Sequence, residues 1–68
     1  MGNTIGENIR RARINRGMSQ VDLAKLLFYG KQAVCNWEKN RTIPKFETLL
    51  KISKILDVPI HELTKLQK

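Results

Sequence analysis

The sequence predicts an all-α fold, a compact five-helix bundle in a single domain spanning residues 1–68. Through most of the chain, apolar residues recur three or four positions apart, which is the spacing of one helix face. No segment alternates apolar and polar residues with period two, so no strand is predicted. A chain of 68 residues without repeats or low-complexity tracts is the size of one small domain.

The first helix is predicted over about 4–16. Thr4 and Glu7 have the spacing of a capping box, in which a hydroxyl and a carboxylate satisfy backbone N–H groups at the helix start. Gly17 supplies a left-handed stop. The inward stripe of this helix is formed by Ile5, Ile9 and Ala12.

Two short helices follow, over about 19–27 and 30–38, joined by a tight turn at residues 28–30. Ala24 is small enough for two steeply crossing helices to approach closely. Asn40 is suited to a left-handed cap after the second of these helices. The residues predicted to face inward are Leu23, Leu27, Val34 and Trp37.

A fourth helix is predicted over about 45–56, after a loop at 41–44, and a short fifth helix begins at Pro59. Phe46 is expected in the core together with Trp37. The broad apolar face of the fourth helix comprises Phe46, Leu49, Leu50, Ile52 and Leu56, and that of the fifth comprises Ile60, Leu63 and Leu66.

The two helices within about 20–39 form a predicted helix-turn-helix. The outward face of its second helix carries the polar residues Lys31, Gln32, Asn36 and Lys39. A helix with such a face is suited to enter the major groove of DNA.

The charge balance agrees with a nucleic-acid partner. Thirteen Lys and Arg against six Asp and Glu give a formal net charge of +7, which favours binding to a polyanion. The four aromatic residues are few for a single-strand RNA reader, which stacks bases on aromatic rings.

No apolar run approaches the roughly 20 residues that span a membrane. A single cysteine and no signal-peptide core favour a cytoplasmic location.

Three stretches, MSQVDLAKLL, AVCNWEKNRTIP and ETLLKISKILDVPI, together with Arg13 upstream, resemble the Cro/phage-repressor family of helix-turn-helix regulators (the XRE family). The resemblance covers about residues 5–63 and implies a lambda-repressor-like DNA-binding domain.

Three positions depart from the family pattern. Phe28 replaces the turn glycine and must keep an ordinary backbone angle or accept strain, Gly30 replaces a serine or threonine, and Asn40 replaces a glycine.

The resemblance and the side-chain chemistry together predict the residues that read bases. Gln and Asn can form paired hydrogen bonds with adenine, and Lys can donate to guanine. A small residue such as Cys35 could contact a thymine methyl. The predicted base-reading residues are Lys31, Gln32, Cys35 and Asn36. The alternative is a polar face that is merely solvated.

A second set is predicted to contact phosphates. The resemblance implies that Gln20, at the start of the second helix, grips the DNA backbone and braces the third helix. Basic and polar residues around the end of the third helix would position the protein without reading sequence. The predicted phosphate-binding residues are Gln20, Lys39, Asn40, Arg41 and Lys45. Each alone could be an ordinary exposed residue.

The resemblance also implies a structural ion pair between Arg13 and Glu38, either buried or exposed. Members of the family usually dimerise, and the fifth helix is the candidate interface. The predicted interface residues are Ile60, Leu63 and Leu66, with completion of the core as the alternative.

The leading functional hypothesis is a sequence-specific regulator of transcription, a repressor that occupies a double-stranded DNA operator with palindromic half-sites as a homodimer. Alternatives are a restriction-modification controller, an antitoxin that represses its own operon, or a protein-interaction module on the same fold. No catalytic assembly, metal-ligand set, cofactor motif or small-molecule site is evident, so an enzyme is not predicted.

Overall fold

Five α-helices account for most of the computed structural model, which describes residues 4–66. They are α1 (Ile5–Asn15), α2 (Gln20–Leu27), α3 (Lys31–Glu38), α4 (Phe46–Leu56) and α5 (Ile60–Thr64). No strand occurs within residues 4–66. The all-α prediction is confirmed, and each predicted start lies one residue early because it included the capping residue. Nowhere in this range is a helix both long and apolar enough to cross a membrane.

Side-chain caps begin the first two helices. Ser19 and Asp22 form a complete capping box, in which the Asp22 N–H donates to Ser19 Oγ (3.0 Å) and the Ser19 N–H donates to Asp22 Oδ2 (3.2 Å). Thr4 Oγ1 accepts from the Glu7 N–H at 3.1 Å. The backbone hydrogen bond from Ser19 is the main cause that lowers the pKa of Asp22 below its usual 3.8. The Asp22 cap therefore stabilises the fold at neutral pH and loses its effect as the pH falls through that lowered pKa.

Left-handed residues end or follow the helices. Gly17 (φ 70°) and Asn40 (φ 60°) adopt the conformation that the sequence predicted, and Asp57 (φ 57°) does the same after α4. Glycine, asparagine and aspartate tolerate this region at little cost.

The core draws on all five helices. Leu23, Val34 and Trp37 are buried as predicted, with Trp37 at 6% exposure. The fully buried side chains are Ile9, Leu23, Val34, Ile52, Leu56 and Leu63. These residues come from α1, α2, α3, α4 and α5, so the helices share one hydrophobic cluster.

The prediction that Phe46 lies in the core is wrong, because its side chain is 63% exposed. Leu50 is also exposed, at 40%. The buried stripe of α4 runs through Leu49, Ile52 and Leu56, whose spacing of three and four defines a narrow face. Phe46 and Leu50 are one helical repeat apart and lie beside that stripe.

Helix α3 packs against both α1 and α2, and α5 packs against α1 and α4. The turn between α2 and α3 is anchored by Tyr29, whose ring meets the Trp37 ring edge-on with centroids 5.1 Å apart. The Tyr29 hydroxyl lies 3.4 Å from Thr48 Oγ1 on α4. These contacts hold α3 in a defined orientation.

The start of α1 touches the end of α3. The Gly6 N–H donates to Asn40 Oδ1 at 3.1 Å. A Cβ at position 6 would lie 2.2 Å from the carbonyl oxygen of Trp37 and 2.7 Å from Asn40 Oδ1. Glycine is thus required by the close approach of two backbones.

We predict that Gly6→Ala lowers the free energy of unfolding by about 1–3 kcal/mol, because α1 must move away from the Trp37 carbonyl. Urea denaturation measures the change. Gly30→Ala is the matched control, since a Cβ there meets nothing within 4 Å and the backbone angle is ordinary (φ −82°). Equal stability of both variants would contradict the close approach.

Candidate nucleic-acid interface

The outward face of α3 carries the residues predicted to read bases. Val34 and Trp37 point into the core, at 0% and 6% exposure. Lys31 and Gln32 are exposed, and Cys35 and Asn36 are half-buried. The structure thus places all four predicted side chains on the surface, along one helix and next to one another.

Gln32 and Asn36 are joined by a hydrogen bond, from Gln32 Nε2 to Asn36 Oδ1 at 3.2 Å. This bond does not use the Gln32 carbonyl oxygen or the Asn36 amide hydrogens. The pair can therefore offer one acceptor and one donor to a base edge. Adenine presents the complementary N6 amino group and N7 acceptor in the major groove.

The N-terminal end of α3 is electropositive, whereas the first turn of α4 follows Lys45 but contains the acidic Glu47. Neither helix receives a side-chain cap hydrogen bond, and their N-cap residues are Gly30 and Lys45. The first turn of α3 contains no acidic residue and begins with Lys31. At α3 the uncapped N–H groups, the helix dipole and Lys31 all favour an anionic partner, whereas the Glu47 carboxylate offsets part of this effect at α4.

Arg13 and Glu38 form the ion pair implied by the resemblance. Arg13 Nε donates to Glu38 Oε2 at 2.7 Å, and Arg13 Nη2 donates to Glu38 Oε1 at 3.0 Å. Their side chains are only 11% and 3% exposed, so the buried alternative applies. Arg13 Nη1 also donates to the Met18 carbonyl oxygen at 2.7 Å. One guanidinium thus ties α1 to α3 and to the loop before α2.

Gln20 completes this network. Its Nε2 donates to Glu38 Oε1 at 3.0 Å, so the side chain braces α2 against α3. This is the bracing role implied by the resemblance. The second amide hydrogen of Gln20 is not used in this bond, and contact with a phosphate remains a prediction.

The other predicted phosphate-binding residues surround the end of α3 and the start of α4. Lys39, Arg41 and Lys45 are exposed. Asn40 differs because its Oδ1 accepts from the Gly6 N–H within the fold. Its first role is structural, which leaves only its amide nitrogen for a phosphate.

Leu63 cannot serve as predicted in a surface interface, because its side chain is 1% exposed. It packs in the core, where α5 lies on α1 and α4. Ile60 is half-buried and Leu66 is 67% exposed. Of the three predicted interface residues, these two retain accessible surface.

Sequence reasoning missed Asn8, which is 3% exposed. Its Nδ2 donates to the carbonyl oxygens of Leu63 (2.9 Å) and Lys65 (2.8 Å), which fastens the end of α5 to α1. A signal was present, because Asn8 falls on the apolar stripe between Ile5 and Ala12. A polar residue at such a position indicates a buried hydrogen bond.

Residues 9–63 match the helix-turn-helix family model. This range contains α2 and α3, the Arg13–Glu38 pair and nearly all of the core. The chain therefore belongs to the helix-turn-helix family of the Cro/phage-repressor (XRE) type.

Individual relatives agree with this assignment. The chain is 38% identical over 55 residues to the cryptic phage CTXphi transcriptional repressor RstR of Vibrio cholerae, covering 81% of this chain and 50% of RstR. Its structure matches the P22 c2 repressor in complex with a synthetic operator (TM-score 0.86, 33% identity, 93% of this chain and 96% of that one). It also matches the biofilm regulator SinR in complex with DNA (TM-score 0.81, 33% identity, 88% and 97%). The chain spans half or less of the length of the curated relatives it matches.

We predict that Glu38→Gln lowers the free energy of unfolding by roughly 3–5 kcal/mol, because the Arg13 guanidinium would stay buried without a counter-charge. Chemical denaturation of the purified chain measures this. The matched control is Glu62→Gln, which removes an exposed carboxylate paired with Lys65 at 3.0 Å and should leave stability nearly unchanged. A small effect at both positions would show that the Arg13–Glu38 pair contributes little.

Proposed function

We propose that this chain is a sequence-specific, double-stranded DNA-binding regulator of transcription that represses by occupying an operator. The observation that carries the proposal is the outward face of α3, where two amides and a lysine lie on a helix fixed by a buried ion pair. Membership in the helix-turn-helix family supports it. The proposal includes no catalysis, cofactor or metal, and it places the protein with DNA in the cytoplasm.

In this proposal α3 enters the major groove with its N-terminal end leading. Gln32 and Asn36 present their donor and acceptor to adenine, and Lys31 donates to guanine O6 and N7. Cys35, half-buried beside them, contacts a thymine methyl or lies over the groove without contact.

Phosphate contacts position the domain. Lys39, Arg41 and Lys45 extend the positive surface beyond α3, and the uncapped end of α4 adds backbone donors at Lys45. Gln20 and Asn40 each have amide hydrogens left for a phosphate. Counterion release by these groups should make binding steeply dependent on salt, with about −0.9 in log–log slope for each phosphate neutralised.

We further propose that the protein binds palindromic half-sites as a homodimer. Two recognition helices in successive major grooves lie about 34–36 Å apart. The domain measures 32 × 23 × 22 Å, so two copies can bind at that spacing between their centres without overlapping. The exposed surface at Ile60 and Leu66 is the proposed contact.

We predict that Gln32→Ala and Asn36→Ala each weaken binding to the selected operator by about 1–3 kcal/mol and relax preference at one base pair. Selection from randomised duplex DNA followed by titration measures both effects. Asn15→Ala is the control, because it removes an exposed amide from α1 outside the proposed interface. Unchanged base preference in both α3 variants would contradict the assigned role.

Arg41→Ala should behave differently. Loss of a phosphate contact weakens binding to all sequences by a similar factor and reduces the salt slope by about 1. Titrations at several salt concentrations, with cognate and random duplexes, test this. A loss confined to the cognate duplex would assign Arg41 to base reading instead.

The dimer interface can be tested with Leu66→Lys, because its exposed side chain can change without disturbing the core. We predict that this variant sediments as a monomer at concentrations where the parent is a dimer, since a buried lysine at the contact is costly. Circular dichroism should show the same helix content for both. An unchanged sedimentation coefficient would exclude Leu66 from the interface.

A further inference from the structure

Phe28 is the exception among the left-handed residues of the structure. Of the four described residues with positive φ, three are Gly17, Asn40 and Asp57, which accept this conformation readily. The fourth is Phe28, at φ 61° and ψ 35°. A bulky side chain in this region is strained, and such outliers concentrate at functional sites.

The phenyl ring makes no packing contribution within the domain that would offset this strain. The ring is 94% exposed, the highest exposure among the large hydrophobic residues of residues 4–66. The turn cannot simply rotate the ring inward, because its neighbour Tyr29 is packed on Trp37 and its N–H donates to the Ala24 carbonyl oxygen at 2.9 Å. A glycine would make the same turn without the strain or the exposed apolar surface.

The position of Phe28 relates it to the proposed DNA interface. It lies two residues before Gly30, the N-cap of α3, and three before Lys31, the first proposed base-reading residue. The N-terminal end of a recognition helix is the part that contacts base edges. The ring therefore lies near the N-terminal end of α3.

The charge of its surroundings favours DNA over an apolar protein surface as the occupant. Lys25 and Lys31 flank the turn in sequence and are both exposed, in a chain of net charge +7. An apolar ring flanked in sequence by two lysines is suited to a polyanionic partner that also presents an apolar group. The apolar group that the major groove offers is the C5-methyl of thymine, which phenylalanine can contact.

We propose that Phe28 is a specificity-determining residue that contacts a thymine methyl. This thymine lies at one end of the half-site, next to the bases read by Lys31 and Gln32. This rests on the proposed DNA-binding function. The left-handed backbone projects the ring out of the domain, so that its apolar surface is buried when DNA binds.

The test compares the parent protein with Phe28→Gly on the operator selected by the parent. Each thymine of the operator is replaced in turn by deoxyuridine, which removes the C5-methyl alone. The parent should lose about fourfold in affinity at one thymine near the end of each half-site, the value of burying one methyl-sized group. Phe28→Gly should bind the unmodified operator more weakly and be insensitive to the change at that thymine.

Phe46→Ala is the matched control, because it removes another exposed aromatic ring from α4. It should retain the thymine sensitivity of the parent. Thermal unfolding provides a second readout, in which Phe28→Gly should melt at the same or a higher temperature, so that its weaker binding is not a folding defect.

The outcomes separate the two proposals. If the parent selects a sequence but Phe28→Gly shows the same thymine sensitivities, the role of Phe28 is overturned and DNA binding stands. The role of Phe28 is also overturned if Phe28→Gly weakens binding equally to every sequence, which would indicate a contact that does not read bases. It is overturned as well if Phe28→Gly binds as tightly as the parent, which would show that the ring does not contribute to DNA binding. If the parent selects no sequence, the proposed function itself fails.

Discussion

The buried ion pair between Arg13 and Glu38 is the interaction on which the orientation of α3 depends. Its two charges are held by two hydrogen bonds, and Gln20 and the Met18 carbonyl oxygen satisfy further donors and acceptors. A buried charge pair needs such saturation to offset the loss of water. Because the network joins α1, α2 and the loop between them to the end of α3, moving α3 would break several charged hydrogen bonds at once. A helix of only eight residues is too short to be stable alone, so α3 depends on these contacts.

The same helix separates two kinds of chemistry on its two sides. Val34 and Trp37 bury apolar surface, while Gln32 and Asn36 retain hydrogen-bonding groups that their mutual hydrogen bond does not use. The N-terminal end of α3 has no side-chain cap, although α1 and α2 are capped by Thr4 and Ser19. The absence of a cap at that end leaves backbone donors for a partner. The packing surface and the proposed DNA-binding surface thus lie on opposite faces of one short helix.

Much of this arrangement could be predicted from the sequence because it depends on local rules. Helix starts at Ser19 and stops at Gly17 and Asn40 follow from side chains that bond their own backbone or tolerate positive φ. The errors at Phe46 and Leu63 have another origin: a stripe of apolar residues does not say which of its edges a neighbouring helix covers. The hydrogen bond from Gly6 to Asn40 joins residues that are 34 positions apart in sequence, and those of Asn8 join residues that are 55 and 57 positions apart. No local pattern specifies such contacts. The sequence allows Phe28 either an ordinary backbone angle or a strained one, and the structure has the strained one (φ 61°), next to Tyr29 packed on Trp37.

We propose that the outward face of α3 reads DNA while the Arg13–Glu38 ion pair holds the helix in place. A crystal structure of the protein with its selected duplex tests this most directly. We expect α3 to lie in the major groove, with Gln32 and Asn36 within hydrogen-bonding distance of base edges and Arg13 still paired with Glu38. A complex in which DNA lies against another face, with the α3 amides in solvent, would contradict it.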